Sequence, residues 1–293
     1  MTLPPLIVTD STCDLPPDQF EHYNIQIAPL QILFGDESYR SNIDMDLMQF
    51  VERLEQGDHH PTSSQPTPGD FLDLYRSLAE HNRPILSIHL SEGLSGTVNA
   101  ARQAAAQLPD QNITVYDSRT ISAALGLQVL TAARAAAAGY SVEQILPLLE
   151  DAYTNSNFLF TLDDLSYLVR GGRIGRVRYH VGEMLRIKPL ITVSKSGETL
   201  GTYVSAGRVR SLEKGVDAFV KQVLRDVTPG STLRAMVFHG VGNTPELAES
   251  VVAELKQHYD CIFATTAYST PILGVHVGPL ALDMGYMAGD WPV

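Results

Sequence analysis

The sequence predicts an α/β protein of two domains: an N-terminal three-layer α/β/α domain with a mostly parallel sheet (residues 1–150) and a C-terminal α/β domain with a mixed sheet (residues 151–293). In the first half, short apolar runs alternate with segments of helical spacing, the pattern of parallel strands joined by crossover helices. In the second half, apolar runs flank Ser196-Gly197, which is typical of a hairpin. The length of 293 residues suits about one to two domains.

The N-terminal elements follow one another closely. Predicted strands cover residues 6–8, 25–34, 85–88 and 113–116, and Pro29 interrupts the second of them. Predicted helices cover residues 17–23, 45–56, 70–80, 97–108 and 121–138. The last of these is rich in alanine, which has the highest helix propensity, and it stops at Gly139.

The C-terminal elements begin with a helix over 141–153, where Ser141 and Gln144 have the spacing of a capping box. Further strands are predicted at 158–160, 190–193, 198–204 and 233–239, and further helices at 162–169, 212–224 and 245–257. Residues 261–282 contain no Asp, Glu, Lys or Arg, but their prolines, glycines and His276 would leave polar groups unsatisfied in lipid. We interpret this stretch as a buried strand, loop and strand, and we expect no membrane span.

Composition argues against two classes of protein. The 21 Lys and Arg residues against 33 Asp and Glu residues give a formal charge of −12, whereas general nucleic-acid binding needs a positive field. The hydrophobic fraction of 44% and the charged fraction of 18% are those of a globular protein, not a disordered one.

Cys13 and Cys261 form no metal-binding pattern and are interpreted as reduced thiols of a cytoplasmic protein. The first residues lack the features of a signal peptide, so export is not expected.

Hydroxyl-rich turns follow three predicted strands, at residues 9–12, 91–97 and 117–118. The carboxyl ends of parallel strands meet at one edge of a sheet, where α/β proteins bind ligands. Any one of these turns could instead be a simple helix N-cap. Three on one edge favour a binding site.

The turn Leu94-Ser95-Gly96-Thr97 is the most informative of the three. Gly96 allows the backbone to approach a ligand, and the helix that follows offers free N–H groups that suit a carboxylate or a phosphate. An alternative is a serine nucleophile at Ser95, because residues 93–97 come within one residue of the G-x-S-x-G elbow. Its base would have to be His276 or another histidine.

Two other segments are polar. Residues 61–71 form a loop that Pro66 and Pro68 stiffen, which is either a surface turn or a set of positioned hydroxyls. Four arginines lie between residues 170 and 178, and they either terminate a helix or form a docking surface for an acidic partner. The spacing of the glycines there is not G-x-G-x-x-G, so no dinucleotide site is predicted.

Taken together, these segments resemble the DegV family of fatty-acid-binding proteins. The matching residues, in the family's order, are residues 8–12, Ser63-Ser64-Gln65-Pro66, residues 94–97, Asp117-Ser118, residues 167–174, Lys188-Pro189, Arg210 and His276-Val277-Gly278-Pro279. They cover nearly the whole chain. The family usually has glycine after that proline, whereas this chain has Leu280, a residue that does not readily adopt a positive φ.

The resemblance implies a carrier of one long-chain fatty acid such as palmitate, with no metal and no cofactor. It places the fatty acid carboxylate on Ser63 and Ser95, with Thr62 as the neighbouring alternative to Ser63. The other implied residues around the carboxylate are Gly96, Thr97, Arg210 and His276. It also implies a partner, an ATP-binding fatty acid kinase subunit that phosphorylates the presented carboxylate.

The residues that contact the acyl chain and the partner are less constrained by the sequence. Candidate acyl-chain residues are Phe160, Met184, Leu185 and Ile191, with Ile262 and Phe263 as further apolar candidates, although periodicity cannot distinguish a tunnel from a packed core. Candidate partner-surface residues are Arg170, Arg173 and Arg176.

We favour a carrier that is not itself an enzyme. The alternatives are a serine hydrolase that uses Ser95 and a small-molecule phosphotransferase related to dihydroxyacetone kinases. The chain carries no ATP-binding signature, which argues against a phosphotransferase that acts alone.

Overall fold

A computed structural model describes residues 3–57, 59–174, 188–242 and 245–293. Its first sheet is formed by β1 (Leu6–Asp10), β2 (Gln26–Ala28), β6 (Ile85–His89) and β7 (Ile113–Asp117). The strand order is β2-β1-β6-β7, and all pairs are parallel. β1 and β6 are buried along their whole length, as expected for the central strands of a sheet with helices on both faces.

A small antiparallel sheet, which the sequence did not predict, lies beside the first. It contains β3 (Gln31–Phe34), β4 (Glu37–Arg40) and β5 (Thr62–Ser64), in the order β4-β3-β5. The single strand predicted over 25–34 is therefore two strands in two sheets. Pro29 lies at the break because it has no backbone N–H to donate to a ladder.

The second sheet contains β8 (Ser156–Leu162), β9 (Lys188–Val193), β10 (Tyr203–Val209), β11 (Thr232–His239), β12 (Asp260–Tyr268) and β13 (Ala281–Ala288). Its order is β10-β9-β8-β13-β11-β12, and it is mixed because only β11 and β12 pair in parallel. The predicted fold class, a parallel sheet followed by a mixed sheet, is confirmed.

The described helices are α1 (Pro17–His22), α2 (Leu47–Glu55), α3 (Pro68–Ala79), α4 (Thr97–Ala105), α5 (Ser122–Ala137), α6 (Val142–Asn155), α7 (Ser166–Arg170), α8 (Glu213–Asp226), α9 (Pro245–His258) and α10 (Pro271–Val277). None of them is long and apolar enough to cross a bilayer. The predicted loop before β13 is in fact α10, which starts at Pro271, a residue well suited to the first turn of a helix.

Helix α5 lies between the two large sheets and contacts both β1 and β13. It is buried on nearly all sides, which explains its alanine content, because small side chains let a sheet approach each face. A Cβ on Gly126 would lie 2.2 Å from the carbonyl oxygen of Asp14, and one on Gly285 of β13 would lie 2.5 Å from the backbone of Ala123. The first residue of α5 is consequently fixed at the junction of the sheets.

Candidate functional site

A cavity opens at the carboxyl end of the parallel sheet. The turns after β1, β6 and β7 contribute Thr12, Ser95 and Ile121 to its wall. β5 and α10 contribute Ser63 and His276 from the other side. The site therefore lies at the sheet edge where open α/β folds bind their ligands.

A second cavity, which we call the inner cavity because nearly all of its lining residues are buried, adjoins the first. The two cavities share the lining residues Ile121, Tyr203, Leu273 and Val277. The inner cavity is otherwise lined by Phe158, Phe160 and Ala281, with Ser122 and Asp283 as its polar members. The combined space is thus polar at its mouth and largely apolar inside.

Ser63 and His276 form the first polar pair at the mouth. Ser63 Oγ lies 2.7 Å from His276 Nε2. Burial, and then the charge of Arg173, lowers the pKa of His276 to about 4, so the imidazole is neutral at pH 7. Its Nδ1 has no hydrogen-bond partner among the described residues. If Nε2 carries the proton, it donates to Ser63 and leaves the Ser63 hydroxyl free to donate to a ligand.

Ser95 and Thr97 form the second polar pair. Their hydroxyl oxygens lie 2.8 Å apart, and the backbone N–H of Thr97 donates to Ser95 Oγ at 3.3 Å. Gly96 between them is the N-cap of α4, and a Cβ there would lie 2.5 Å from Gln65 Oε1. Glycine here leaves room for the side-chain amide of Gln65, a cavity residue that sequence reasoning missed although it stands in the Ser-Gln-Pro run.

Arg173 also lines the mouth, although the sequence assigned it to a partner surface. Its guanidinium donates to the carbonyl oxygen of Gly171 at 2.6 Å. A Cβ on Gly171 would lie 2.4 Å from His276 Nδ1, so the glycine lets this turn pack directly on the imidazole. The turn thereby brings a permanent cation beside the hydroxyl pairs.

Several predicted residues lie elsewhere. Thr62 is exposed and outside the cavity wall, because alternate residues of β5 face opposite sides and Ser63 faces inward. Arg210 is exposed just beyond β10 and lines neither cavity. Arg170 is exposed beside His60, at 3.2 Å between nitrogens.

The predicted acyl-chain residues separate in the same way. Phe160 lines the inner cavity. Ile191 is fully buried in the main core without lining either cavity. Ile262 is exposed on β12, and Phe263 packs against Trp291. Met184, Leu185 and Arg176 lie outside the described residues.

Leu280 does not disturb the loop backbone. The residue with positive φ there is Gly278, at +74°, and Leu280 is not among the residues with positive φ. Its side chain instead approaches Gly242, where a Cβ would lie 2.9 Å from Leu280 Cδ2. Leu280 therefore occupies a position whose backbone conformation does not need a glycine.

The geometry does not favour a serine hydrolase. Ser95 contacts Thr97, whereas the His276 imidazole contacts Ser63. An Asp10–His89–Ser87 chain does exist, with contacts of 3.0 and 2.7 Å, but all three side chains are fully buried beneath the sheet edge. Nor do the described residues include a group of three or more side chains able to hold a metal ion.

Comparison with known proteins agrees with this architecture. The model of the DegV family matches residues 6–288. A DegV domain-containing protein of Deinococcus radiodurans is 36% identical over 98% of this chain and 96% of its own length. Protein DegV of Bacillus subtilis is 31% identical over 95% of this chain and 97% of its own.

Two solved structures are also similar. A DegV family protein from Thermus thermophilus, described by its fatty acid binding, superimposes with a TM-score of 0.88 at 28% identity and covers 99% of this chain and 100% of its own. DegV of Bacillus subtilis, described as a fatty acid binding protein, gives 0.86 at 29% identity and covers 98% of this chain and 100% of its own. This chain belongs to the DegV family.

Proposed function

We propose that this protein binds a long-chain fatty acid such as palmitate and presents its carboxylate to an ATP-dependent kinase subunit. The observation that carries the proposal is the continuous cavity, with hydroxyls, an imidazole and a guanidinium at its mouth and an apolar interior. Similarity to DegV proteins described as fatty-acid-binding supports the same ligand. In this proposal residues 1–150 hold the carboxylate, and residues 151–293 supply most of the acyl cavity, in a cytoplasmic protein.

Burial of the acyl tail supplies most of the affinity. At about 0.8 kcal/mol per CH₂, some fourteen methylenes contribute on the order of 11 kcal/mol before the costs of binding. A hydrogen bond from a hydroxyl to a carboxylate adds about 1.5–3 kcal/mol. Ser63 and Ser95 therefore orient the ligand, while the apolar wall retains it.

Neutral donors at the mouth suit presentation of a reactive carboxylate. Ser63 and Ser95 hold the carboxylate by single hydrogen bonds and leave electron pairs for attack on a phosphate. Arg173 is exposed at the same mouth, where it can meet the phosphate groups of a nucleotide carried by the partner.

The ligand is tested by mass spectrometry of an organic extract of the denatured, purified protein. We expect a stoichiometric long-chain fatty acid, and after removal of lipid we expect the protein to take up palmitate. A protein that yields no fatty acid and takes up none would contradict the carrier assignment.

The presenting role needs a separate assay. Palmitate-loaded protein, the ATP-binding subunit and ATP are mixed, and acyl phosphate is trapped with hydroxylamine. We expect the acyl hydroxamate only when all three are present, and its formation by the loaded protein and ATP alone would instead identify an enzyme.

A further inference from the structure

Two buried aspartates meet on one serine beneath the inner cavity. Asp14 follows β1, Ser122 is the first residue of α5, and Asp283 lies on β13. At most 6% of any of the three residues is exposed to solvent. Ser122 and Asp283 also line the inner cavity. The cluster thus joins the two large sheets and forms part of the proposed acyl-chain wall.

The hydrogen bonds of the cluster fix its proton count. Ser122 Oγ lies 2.7 Å from Asp14 Oδ2 and 2.8 Å from Asp283 Oδ1. A serine hydroxyl has one proton and can donate to only one of them. With both aspartates ionised, the other short contact would join two oxygens with no hydrogen between them, in a buried site where that repulsion is poorly screened.

The remaining contacts determine which aspartate donates a hydrogen bond to Ser122 and which one accepts. The Ser269 hydroxyl donates to Asp283 Oδ2 at 3.1 Å, and the backbone N–H of Thr270 donates to Asp14 Oδ1 at 2.9 Å. Asp14 therefore receives a backbone donor, which suits a carboxylate. Asp283 pairs with Phe160 on the neighbouring strand and lines the inner cavity together with Phe158 and Phe160, and this apolar setting suits a neutral acid.

We propose that Asp14 and Asp283 share one proton through Ser122, that Asp283 holds it, and that the acyl chain binds only while Asp283 is neutral. In this arrangement Asp283 donates to Ser122 Oγ, and Ser122 donates to the Asp14 carboxylate. Every side-chain oxygen of Asp14, Ser122 and Asp283 then has a hydrogen-bond partner. The link to the acyl chain rests on the proposed function, whereas the proton assignment does not.

Backbone geometry and the surroundings agree with this assignment. Ser122 has a φ of +54°, a conformation rare outside glycine that persists only where neighbouring contacts impose it. Burial raises the pKa of Asp14 to about 6 and raises that of Asp283 well above its ordinary range. Both shifts favour one shared proton on the pair over two ionised carboxylates.

The other described titratable groups near the two aspartates do not supply a positive charge that could take the place of the shared proton. Cys13, next to Asp14, has a thiol pKa raised by burial and by Asp10, so it is neutral at pH 7. Burial and Asp283 raise the pKa of Tyr203, which is neutral as well. His239 pairs with Leu282 and so lies on the opposite face of the sheet. Among the described residues, no cation is one of the groups that chiefly set the pKa of either aspartate.

Infrared spectroscopy tests the proton directly. The wild-type protein at pH 7 should show the carbonyl band of a neutral carboxylic acid that is absent from Asp283→Asn and present in Asp110→Asn, a control at an exposed aspartate. Identical spectra for the wild type and Asp283→Asn would overturn the assignment. The asparagine can donate to Ser122 as the acid does, so its fold should be retained.

Palmitate binding between pH 6 and 9 tests the link to the acyl chain. Above the pKa of Asp283 in the ligand-free protein, the wild-type dissociation constant should rise up to tenfold per pH unit, while that of Asp283→Asn stays flat. Equal pH dependence in the two proteins would overturn this link. If no pH supports palmitate binding although the acid band is present, the carrier function fails and the shared proton stands.

A measurement on the wild type alone guards against a variant that does not fold. The acid band and palmitate affinity should fall with the same pH midpoint. Two separate midpoints would overturn the coupling between the proton and the acyl chain.

Discussion

At the scale of single residues, the neutral state of the His276 imidazole determines the charge and the hydrogen-bond donors at the mouth of the cavity. Its pKa of about 4 arises from burial and from Arg173, and both effects oppose a second positive charge. A bound carboxylate would supply the opposite charge and reverse part of this effect. We expect His276 to titrate near pH 4 without ligand and at a higher pH with palmitate, as followed by NMR of the imidazole Cε1–H.

The free energy of unfolding of the ligand-free protein should also depend on the protonation of His276. The folded protein binds this proton less tightly than the unfolded chain does, so the contribution of His276 to stability is lost as pH falls from about 6.5 towards 4. An imidazole that titrates above pH 6 without ligand would contradict both expectations.

Substitution of the two hydroxyls should weaken palmitate binding without abolishing it. Ser95→Ala and Ser63→Ala each remove one proposed bond to a charged group, so we expect affinity to fall about 10- to 150-fold by calorimetry. Ser64→Ala is the matched control, because that side chain is exposed and does not line the cavity. We expect Ser95→Ala also to reduce acyl phosphate formation at saturating lipid. Equal affinities in all three variants would show that the hydroxyls do not contact the ligand.

Sequence reasoning reached the hydroxyls of the site more readily than its other members. Ser63 stands in a polar run with prolines on both sides and Ser95 in a hydroxyl-rich turn after a strand, and both patterns are visible in the sequence. Arg173 and Tyr203 line the cavity because of how the chain folds in three dimensions. Nothing in the sequence around either residue indicates that position. The proximity of Asp14 and Asp283, 269 positions apart, is likewise set by tertiary packing alone.

At the scale of elements, the fit of α5 between the sheets depends on small residues. Gly126→Ala would bring a Cβ to 2.2 Å from a backbone oxygen of the Asp14 segment, which cannot rotate away as a side chain could. Overpacking of this kind costs about 1–3 kcal/mol, and the upper end is expected here. Gly69→Ala in α3 is the control, since its Cβ would approach nothing closer than 3.5 Å. Urea unfolding of the two variants measures the difference, and equal stability would mean that α5 can shift.

The elements that the sequence predicted best were those with long, regular patterns. Helix α5 follows from an alanine-rich segment, and β1, β6 and β7 follow from apolar runs. Helix α10 was missed because seven residues are too few to display helical periodicity, and its one proline and one glycine resemble a loop. Gly274 in fact serves packing, since a Cβ there would lie 2.8 Å from the ring of Phe50.

At the scale of the whole molecule, the cavity exists because elements of both sheets enclose it. The turns of the parallel sheet supply the mouth, while β8, β10 and β13 supply Phe160, Tyr203 and Asp283 to the interior. A sequence can indicate two sheets, but how they dock depends on complementary surfaces that no local pattern encodes. This is why the fold class was predictable whereas the course of the cavity was not.

The buried acid pair should also make global stability depend on pH. A carboxyl group whose pKa is raised by folding binds its proton more tightly in the folded protein, so its contribution falls as pH rises above the ordinary value of 3.8. For Asp14 this loss is complete above about pH 6, and for Asp283 it extends from pH 3.8 up to the raised pKa of that group. Relative to wild type, Asp283→Asn should therefore gain about 1.4 kcal/mol in free energy of unfolding per pH unit within that window. Urea unfolding followed by circular dichroism from pH 5 to 8 measures this slope. A constant difference between the two proteins would mean that Asp283 is ionised throughout and that the junction of the sheets holds two negative charges.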